Sequence, residues 1–550
     1  MLSTMSCYPL TIGSIFEHGV RVHGDSEVAT WTENGLKRID LRSLGGRVRQ
    51  LARALQRLGL QRGDRVGTLC WNTQEHIEAY YAISAMGGVV HTLNLRLFPD
   101  QLAYIVHHGG DRILLVDACL VPLLDTIRGD LRSVETVIVV GEAEGLPEEF
   151  LRYEDLLAGE ASEFEWPDLD ERCGAVMCYT TGTTGDPKGV VYSHRSIYLH
   201  ALSACAPWGM GVCERDRVVM IVPMFHANGW GLPYAAWFSG SNLLMPGRFM
   251  QPESLCRMIR EYGATIVCGV PTILSAMFRF AVANAVDLSL LRLVFSGGAA
   301  LPRSLADGFR DKFGVKVIQG WGLTETSPVL AVAQPPAGCA PDEEIEWATK
   351  TGRIIPGVEL RVCDGDRVLP WDGESVGEFE VRGPWITASY YDMDAPEKFH
   401  DGWLRTGDVG VADERGFLRI TDRSKDVIKS GGEWISSVEL ENAIIDHPDV
   451  LEAAVIGVPD ERWDERPLAC VVPVSGATVD IAALRAHLAA RVAKWWIPER
   501  WAFLREVPKT SVGKFDKKVL RAMRANGQLE EILFGGQLAG KEVITESLVP

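Results

Sequence analysis

The run Tyr179-Thr180-Thr181-Gly182-Thr183-Thr184-Gly185-Asp186-Pro187-Lys188-Gly189 decides the reading of this chain. It joins two apolar stretches, Ala175 to Tyr179 and Val190-Val191-Tyr192, that read as strands. Glycines let backbone N–H groups close on an anion, and threonine hydroxyls add donors or metal-ligating oxygens. Lys188 supplies a point charge. Thr180, Thr181, Gly182, Thr183, Thr184 and Lys188 are therefore candidate contacts for a polyphosphate. The spacing is not that of the G-x-x-x-x-G-K-[S/T] loop, since Gly189 follows Lys188. Ser193 is placed to cap a helix starting at His194. A bare Gly/Thr-rich turn is also what a flexible surface loop looks like, so the rest of the chain has to carry the argument.

Working outward, helical and strand patterns alternate through the first four hundred or so residues. Leu44, Val48, Leu51, Leu55 and Leu58 fall at helical spacing, with Ser43 as N-cap and Gly59 as stop. Arg112 to Val116, Thr136 to Val140 and Leu291 to Phe295 read as buried strands, the first two as parallel ones. This is an α/β fold of layered sheets. From Gly357 the texture changes: Val358 to Val362 and Gly377 to Val381 alternate apolar and polar, which predicts a smaller antiparallel β lobe over about 350–422. The charged segment Asp422-Arg423-Ser424-Lys425-Asp426 is the candidate hinge. Beyond it an α+β unit reads helix (Ser437 to Ile445), strand (Ala453 to Val458), strand (Leu468 to Val474), helix (Ile481 to Ala493). The expected division is an N-terminal domain over 1–422, a hinge over 423–427 and a small mobile C-terminal domain over 428–550.

Composition bounds the partners. A chain of 550 residues is too long for one ordinary core. A net charge of −18 argues against a nucleic-acid partner, which needs a basic surface. The 12 cysteines show no C-x-x-C pair and no zinc-like spacing, so they read as reduced, mostly buried thiols of a cytoplasmic protein. Met1 to Thr11 lacks a signal-peptide pattern. Val218 to Gly247 carries no Asp, Glu, Lys or Arg and is long enough to span a bilayer. Pro223, Gly229, Gly231, Pro233 and the Ser239-Gly240-Ser241-Asn242 run break any continuous apolar helix, so a buried wall or apolar tunnel is the better reading. His226 and Trp230 stand in its middle.

The loop resembles the signature of the adenylate-forming superfamily: acyl- and aryl-CoA synthetases, amino-acid adenylation domains and luciferases. Further matches run from about residue 175 to 520, and the region before 175 carries few diagnostic residues. Met224 to Asn228, Lys429 to Ser437 and Glu465 to Ala469 are most similar to bacterial medium- and long-chain fatty acyl-CoA synthetases. The resemblance implies ATP-dependent activation of a carboxylate to an acyl-adenylate, then transfer to coenzyme A, with Mg2+ assisting. In Gln319-Gly320-Trp321-Gly322-Leu323-Thr324-Glu325, Thr324 would bind phosphate and Glu325 the metal, with Thr180 as a second oxygen ligand. Gln319, Gly320 and Trp321 would flank the nucleotide. A helix-start capping turn is the plainer reading of Thr324 and Glu325, but it explains neither the glycines nor the aromatic.

Ser296-Gly297-Gly298-Ala299-Ala300 follows a strand, the usual place for a ligand in an open α/β sheet. The resemblance assigns Gly298 and Ala299 to the adenine and acyl pocket, with a close-packed turn as the alternative. In Thr406-Gly407-Asp408 the carboxylate would accept from both ribose hydroxyls; alone it is a turn residue. Arg423 would reach ribose or phosphate, and Lys425 occupies the hinge position. In Pro508 to Lys514, the catalytic Lys514 would bridge carboxylate and α-phosphate and then withdraw by domain rotation. Lys429 is assigned to the nucleotide, and Gly431, Gly432 and Trp434 to CoA, although Trp434 also suits interface packing.

The residue matching Trp230 looks like a gate at the mouth of an acyl tunnel, with His226 beside it; two core aromatics are the plain alternative. Val218 to Gly247 holds no acid to pair with an amino group, and no carrier segment follows, which counts against an amino-acid adenylation domain. Three functions remain: a fatty acyl-CoA ligase; a CoA ligase for a short, aromatic, alicyclic or sulfur-containing acid; and a non-catalytic relative, disfavoured because Lys188, Glu325, Asp408 and Lys514 are all present. A homodimer is implied by resemblance alone.

Overall fold

The computed structural model describes residues 3–534 apart from 181–185, 424, 431–432, 478 and 511–513; the side chains of 433–434 are likewise not described. The chain forms two compact units: Met1–Ile420 with Thr510–Lys514, and Thr421–Lys509 with Phe515–Pro550.

The first unit is built on two large sheets. One has seven strands, and its strands Leu151–Arg152, Thr136–Val140, Asp111–Asp117, Arg65–Leu69, Val89–Thr92 and Gly174–Tyr179 pair in parallel in that order. Gly189–Ser193 closes its edge antiparallel to Gly174–Tyr179, with Tyr179 opposite Gly189. The phosphate-loop candidate is thus the turn of a hairpin at the end of a parallel sheet. Ser193 caps the helix His194–Cys205 by accepting from Ser196 N, as its position predicts.

The other sheet has fifteen strands. Arg217–Val219, Ile266–Gly269, Leu293–Gly297 and Lys316–Gly322 are parallel neighbours within it. At Val329–Val332 the pairing turns antiparallel and runs on through Gly352–Ile354. The strands Glu359–Asp364, Gly377–Arg382 and Trp403–Ala412 lie on the same sheet. The β lobe expected over about 350–422 is therefore antiparallel, but it is not a separate layer. Gly352 accounts for the join: at φ +121 a built Cβ would stand 2.6 Å from the carbonyl carbon of Val332, so only glycine lets the backbones approach.

Local departures from the expected elements have simple causes. The helix expected around Leu44 to Leu58 is Leu41–Arg57, capped by Asp40 rather than Ser43, because Asp40 ends a strand and its carboxylate accepts from Ser43 N at 2.7 Å. The strand expected over Leu291 to Phe295 is Leu293–Gly297, since its parallel neighbour Ile266–Gly269 begins opposite Leu293. Val218 to Gly247 contains the helix Leu232–Ser239, eight residues long, and the strand Asn242–Met245. Among the described residues no helix is long and apolar enough to cross a membrane. All twelve cysteines are unpaired, but only six are buried; Cys7, Cys119, Cys173 and Cys213 are exposed.

The second unit carries a six-stranded sheet in which Val450–Asp460 and Asp464–Pro473 form a long antiparallel hairpin, joined in parallel by Arg500–Phe503. The helix Ser437–Ile445 has the predicted bounds, whereas that from Ile481 ends at Ala489 rather than Ala493. The helix Lys517–Ala525 is capped by Asp516, whose carboxylate accepts from Lys518 and Val519 N–H.

Candidate active site

Thr180 and Lys188 close the base of the candidate phosphate loop. Thr180 N donates to Lys188 O at 2.9 Å, and Lys188 N donates to Thr180 Oγ1 at 3.1 Å. Thr181, Gly182, Thr183 and Thr184 lie outside the described residues. The Lys188 ammonium stands 4.9 Å over the Tyr390 ring and 3.8 Å from Glu397. The Tyr390 hydroxyl donates to Glu325 Oε1 at 2.6 Å. Glu325 is held from its backbone as well, where Thr387 N donates to its carbonyl at 2.9 Å. Neighbouring Thr324 is anchored by Tyr192, whose hydroxyl donates to the Thr324 carbonyl at 2.6 Å. Cation and carboxylate from distant motifs thus meet around Tyr390.

The strand Lys316–Gly322 brings Gln319, Gly320 and Trp321 to the same region of the sheet. Gln319 Oε1 accepts from Leu301 N at 2.5 Å, pinning the segment that follows Gly298 and the exposed Ala299. Gly320 has no room for a side chain: a Cβ there would meet Phe295 Cζ at 2.2 Å. The Trp321 indole N–H donates to Asp408 Oδ2 at 2.8 Å in a buried site. A neutral donor on a buried carboxylate orients it without cancelling its charge.

Trp230 lies on a left-handed turn, with Ala227, Asn228, Gly229, Trp230 and Gly231 at φ 36, 48, 63, 55 and 70. Three non-glycine residues in that region cost on the order of 1–2 kcal/mol each, so the packing around them must hold the turn. Trp230 lies over Gly297, where a built Cβ would come 2.9 Å from its Cη2, and its ring meets Phe295 edge-on at 6.1 Å. Under Gly231 sits the buried His200, whose Nδ1 would be 2.4 Å from a Cβ there. His226 precedes the turn; burial, and then the Lys514 ammonium, push its imidazole down to about 3. Lys514 lies near Gly298 within the first unit, its Cε 3.4 Å from a Cβ built on that glycine, which sits at φ +82.

Phe295 also lines a small apolar cavity with His200, Ala204, Met210, Val329 and Ile355. Sequence reasoning missed Tyr390, Glu397 and His200. The doubled tyrosine Tyr390-Tyr391 after a Gly/Pro/Trp-rich turn was the one available signal.

In the second unit, Arg423 N donates to Asp422 Oδ1 at 2.8 Å, and Lys425 is exposed. Lys429 lies opposite Trp434 in the hairpin Ile428–Ser430 with Glu433–Ile435, its N–H on Glu465 Oε2 at 2.9 Å. Gly431, Gly432 and the Trp434 side chain fall outside the described residues.

Residues 16–391 match the AMP-binding enzyme family and residues 439–514 its C-terminal domain. The chain belongs to the AMP-binding enzyme family. It is 43% identical over 544 residues to a 3-methylmercaptopropionyl-CoA ligase of Ruegeria pomeroyi, covering 97% of this chain and 100% of that protein. It is 44% identical over 533 residues to a long-chain-fatty-acid–CoA ligase of Thermus thermophilus, covering 95% and 97%. Among solved structures it is similar to the anthranilate CoA ligase AuaEII in complex with anthranoyl-AMP, with a TM-score of 0.86 at 28% identity, covering 95% of this chain and 99% of that one. Within its family the protein is an AMP-forming acyl-CoA ligase that takes ATP and CoA as substrates.

Proposed function

We propose that this acyl-CoA ligase activates an apolar, fatty carboxylic acid in two steps on one chain. The carboxylate attacks the α-phosphate of ATP, pyrophosphate leaves, and the CoA thiol then displaces AMP. Two anions must meet in the first step, so local positive charge sets the rate. Lys188 and Lys514 supply that charge, and Asp408, oriented by Trp321, accepts from the ribose hydroxyls. Thr180 to Thr184, Thr324, Gln319, Gly320, Gly298 and Ala299 line the nucleotide. Arg423, Lys425 and Lys429 act around a hinge over 423–427, and Gly431, Gly432 and Trp434 meet CoA. Glu325 would hold Mg2+ with Thr180: a hydroxyl and a carboxylate are the hard oxygen donors that ion takes alongside phosphate oxygens. The ion, when bound, would neutralise charge on the phosphates. A cytoplasmic location fits unpaired cysteines.

The observation that carries the acid class is the wall around Trp230. From Val218 to Gly247 it has no charged side chain, and it continues through Phe295 to the apolar cavity. Similarity to a 3-methylmercaptopropionyl-CoA ligase at 43% identity favours a second reading, a short sulfur-containing acid. The test is to incubate full-length protein with ATP, Mg2+ and CoA across straight-chain acids of rising length, 3-methylmercaptopropionate, and benzoate, and to measure AMP. A kcat/KM rising with chain length supports the fatty-acid reading. A maximum at 3-methylmercaptopropionate or a four-carbon acid supports the second. No AMP from any apolar acid overturns both.

A further inference from the structure

The helix that follows the Lys514 loop is bolted to the hinge segment at two points, one turn apart. The inner bolt is buried. Asp422 Oδ2 accepts from Ser437 N at 2.7 Å and from Ser437 Oγ at 2.5 Å. Ser437 Oγ in turn accepts from the Lys517 ammonium, which pairs with Glu441 Oε1 at 2.8 Å. Glu441 is itself tied to the sheet, accepting from Val455 N at 2.8 Å. Asp422 and Ser437 are 1% and 0% exposed, so no water substitutes for these bonds. The outer bolt is Asp426, whose Oδ1 accepts from Arg521 Nη2 at 2.7 Å.

Asp422 and Asp426 are four residues apart and flank Arg423 to Lys425. Lys517 and Arg521 are also four apart, and therefore lie on one face of the helix. Pro508 and Lys509 join the same piece: Asp516 N donates to Pro508 O at 2.7 Å, and Lys509 pairs antiparallel with Phe515. The stem of the Lys514 loop, the start of the helix and the hinge segment thus form one hydrogen-bonded block within the second unit.

Stability alone does not explain this arrangement. Burying a lysine with two carboxylates costs several kcal/mol per ion, and apolar residues of similar volume often do as well or better. Fixing register is the other role that such a buried network can serve. We propose that Lys517 and Arg521 are positioning residues for acyl-adenylate formation, locking the stem of the Lys514 loop to the hinge so that Lys514 returns to one position after each turnover. This rests on the two-step reading above and adds to it two residues that touch no substrate.

The test uses full-length Lys517→Met, Lys517→Arg and Arg521→Met, each assayed for ATP–pyrophosphate exchange with an accepted acid and for thioester formation from supplied acyl-adenylate and CoA. A small misplacement of a reacting group costs up to about 100-fold. Exchange is therefore expected to fall about 10- to 100-fold in both methionine variants, mainly in kcat rather than in KM for ATP. Acyl transfer should stay within about threefold, and Lys517→Arg, which keeps a cation but not the ammonium's shape, should lose less exchange than Lys517→Met. Unchanged exchange in folded variants, or equal loss of both half-reactions, overturns the proposal. If Lys517→Met does not fold, Arg521→Met decides by the same criteria, since its side chain is 36% exposed. A wild type that makes no acyl-adenylate from any apolar acid is a separate result: it removes the two-step reading and this proposal with it.

Discussion

Replacing Trp230 with glycine tests whether the left-handed turn bounds the acid site. The indole is 6% exposed and packs on Gly297 and Phe295. Deleting a buried tryptophan costs about 3–5 kcal/mol of stability. At φ 55 the backbone strain of a non-glycine residue is relieved by glycine, returning about 1–2 kcal/mol. The net loss is expected near 2–3 kcal/mol, less than for Trp230→Ala at the same position, and chemical denaturation of the two variants reads the difference. The effect on selectivity is separable. With the ring gone, the space before Phe295 opens toward the cavity lined by His200, Met210 and Val329. Each methylene newly buried there is worth about 0.8 kcal/mol, or roughly fourfold in kcat/KM. An acid longer by three methylenes should gain about 60-fold relative to the shortest good substrate, while KM for ATP changes little. The assay is AMP formation across a ladder of straight-chain acids with both proteins. A profile that keeps its shape while the variant stays folded would refute the assignment of Trp230 to the acyl pocket.

Other outcomes follow from the same geometry. Tyr390→Phe keeps the ring beneath Lys188 but removes the 2.6 Å bond to Glu325. A hydrogen bond to a charged group is worth about 1.5–3 kcal/mol, so pyrophosphate exchange should drop about tenfold or more and need more Mg2+; an unchanged Mg2+ titration would remove Tyr390 from the site. Lys514→Ala should abolish most adenylation yet retain thioester formation from supplied acyl-adenylate, and equal loss of both steps would contradict alternating use of the C-terminal domain. Burial holds His76, His194 and His200 down to about 4. Between pH 6.5 and 4 the unfolded chain binds protons that the folded chain does not, so stability falls as pH falls, by about 1.4 kcal/mol per pH unit for each histidine. His200→Gln should make the slope shallower by that amount in urea titrations, and an unaltered slope would show that His200 is not held neutral.

Much of the α/β framework is legible because parallel strands buried on both faces read as continuous apolar runs, as Asp111–Asp117 and Thr136–Val140 do. Element ends are less legible, because tertiary partners set them. Asp40 rather than Ser43 caps its helix since a strand happens to stop there, and Leu293–Gly297 starts late because its parallel neighbour begins at Ile266, opposite Leu293. The continuity of the β lobe with the large sheet depends on one close backbone approach at Gly352, which no periodicity encodes. At the candidate site, Lys188, Glu325 and Asp408 announce themselves through glycine-rich or turn context. Tyr390 and His200 do not: a tyrosine that orients a carboxylate and a histidine wedged under Gly231 look like ordinary core residues until their neighbours are known.

The unbroken fifteen-stranded sheet has a consequence for how such a protein can change. Trp321 and Asp408, proposed for the nucleotide, sit on strands of that sheet and are bonded to each other. Trp230, proposed for the acid, sits on a strained turn outside any strand. A substitution on the turn alters one cavity wall, whereas one on the strands disturbs a ladder shared by many residues. On that assignment the wall proposed for the acid can change with less disturbance to the sheet than the strands proposed for ATP, so descendants of one ancestor could trade acids without relearning how to use ATP.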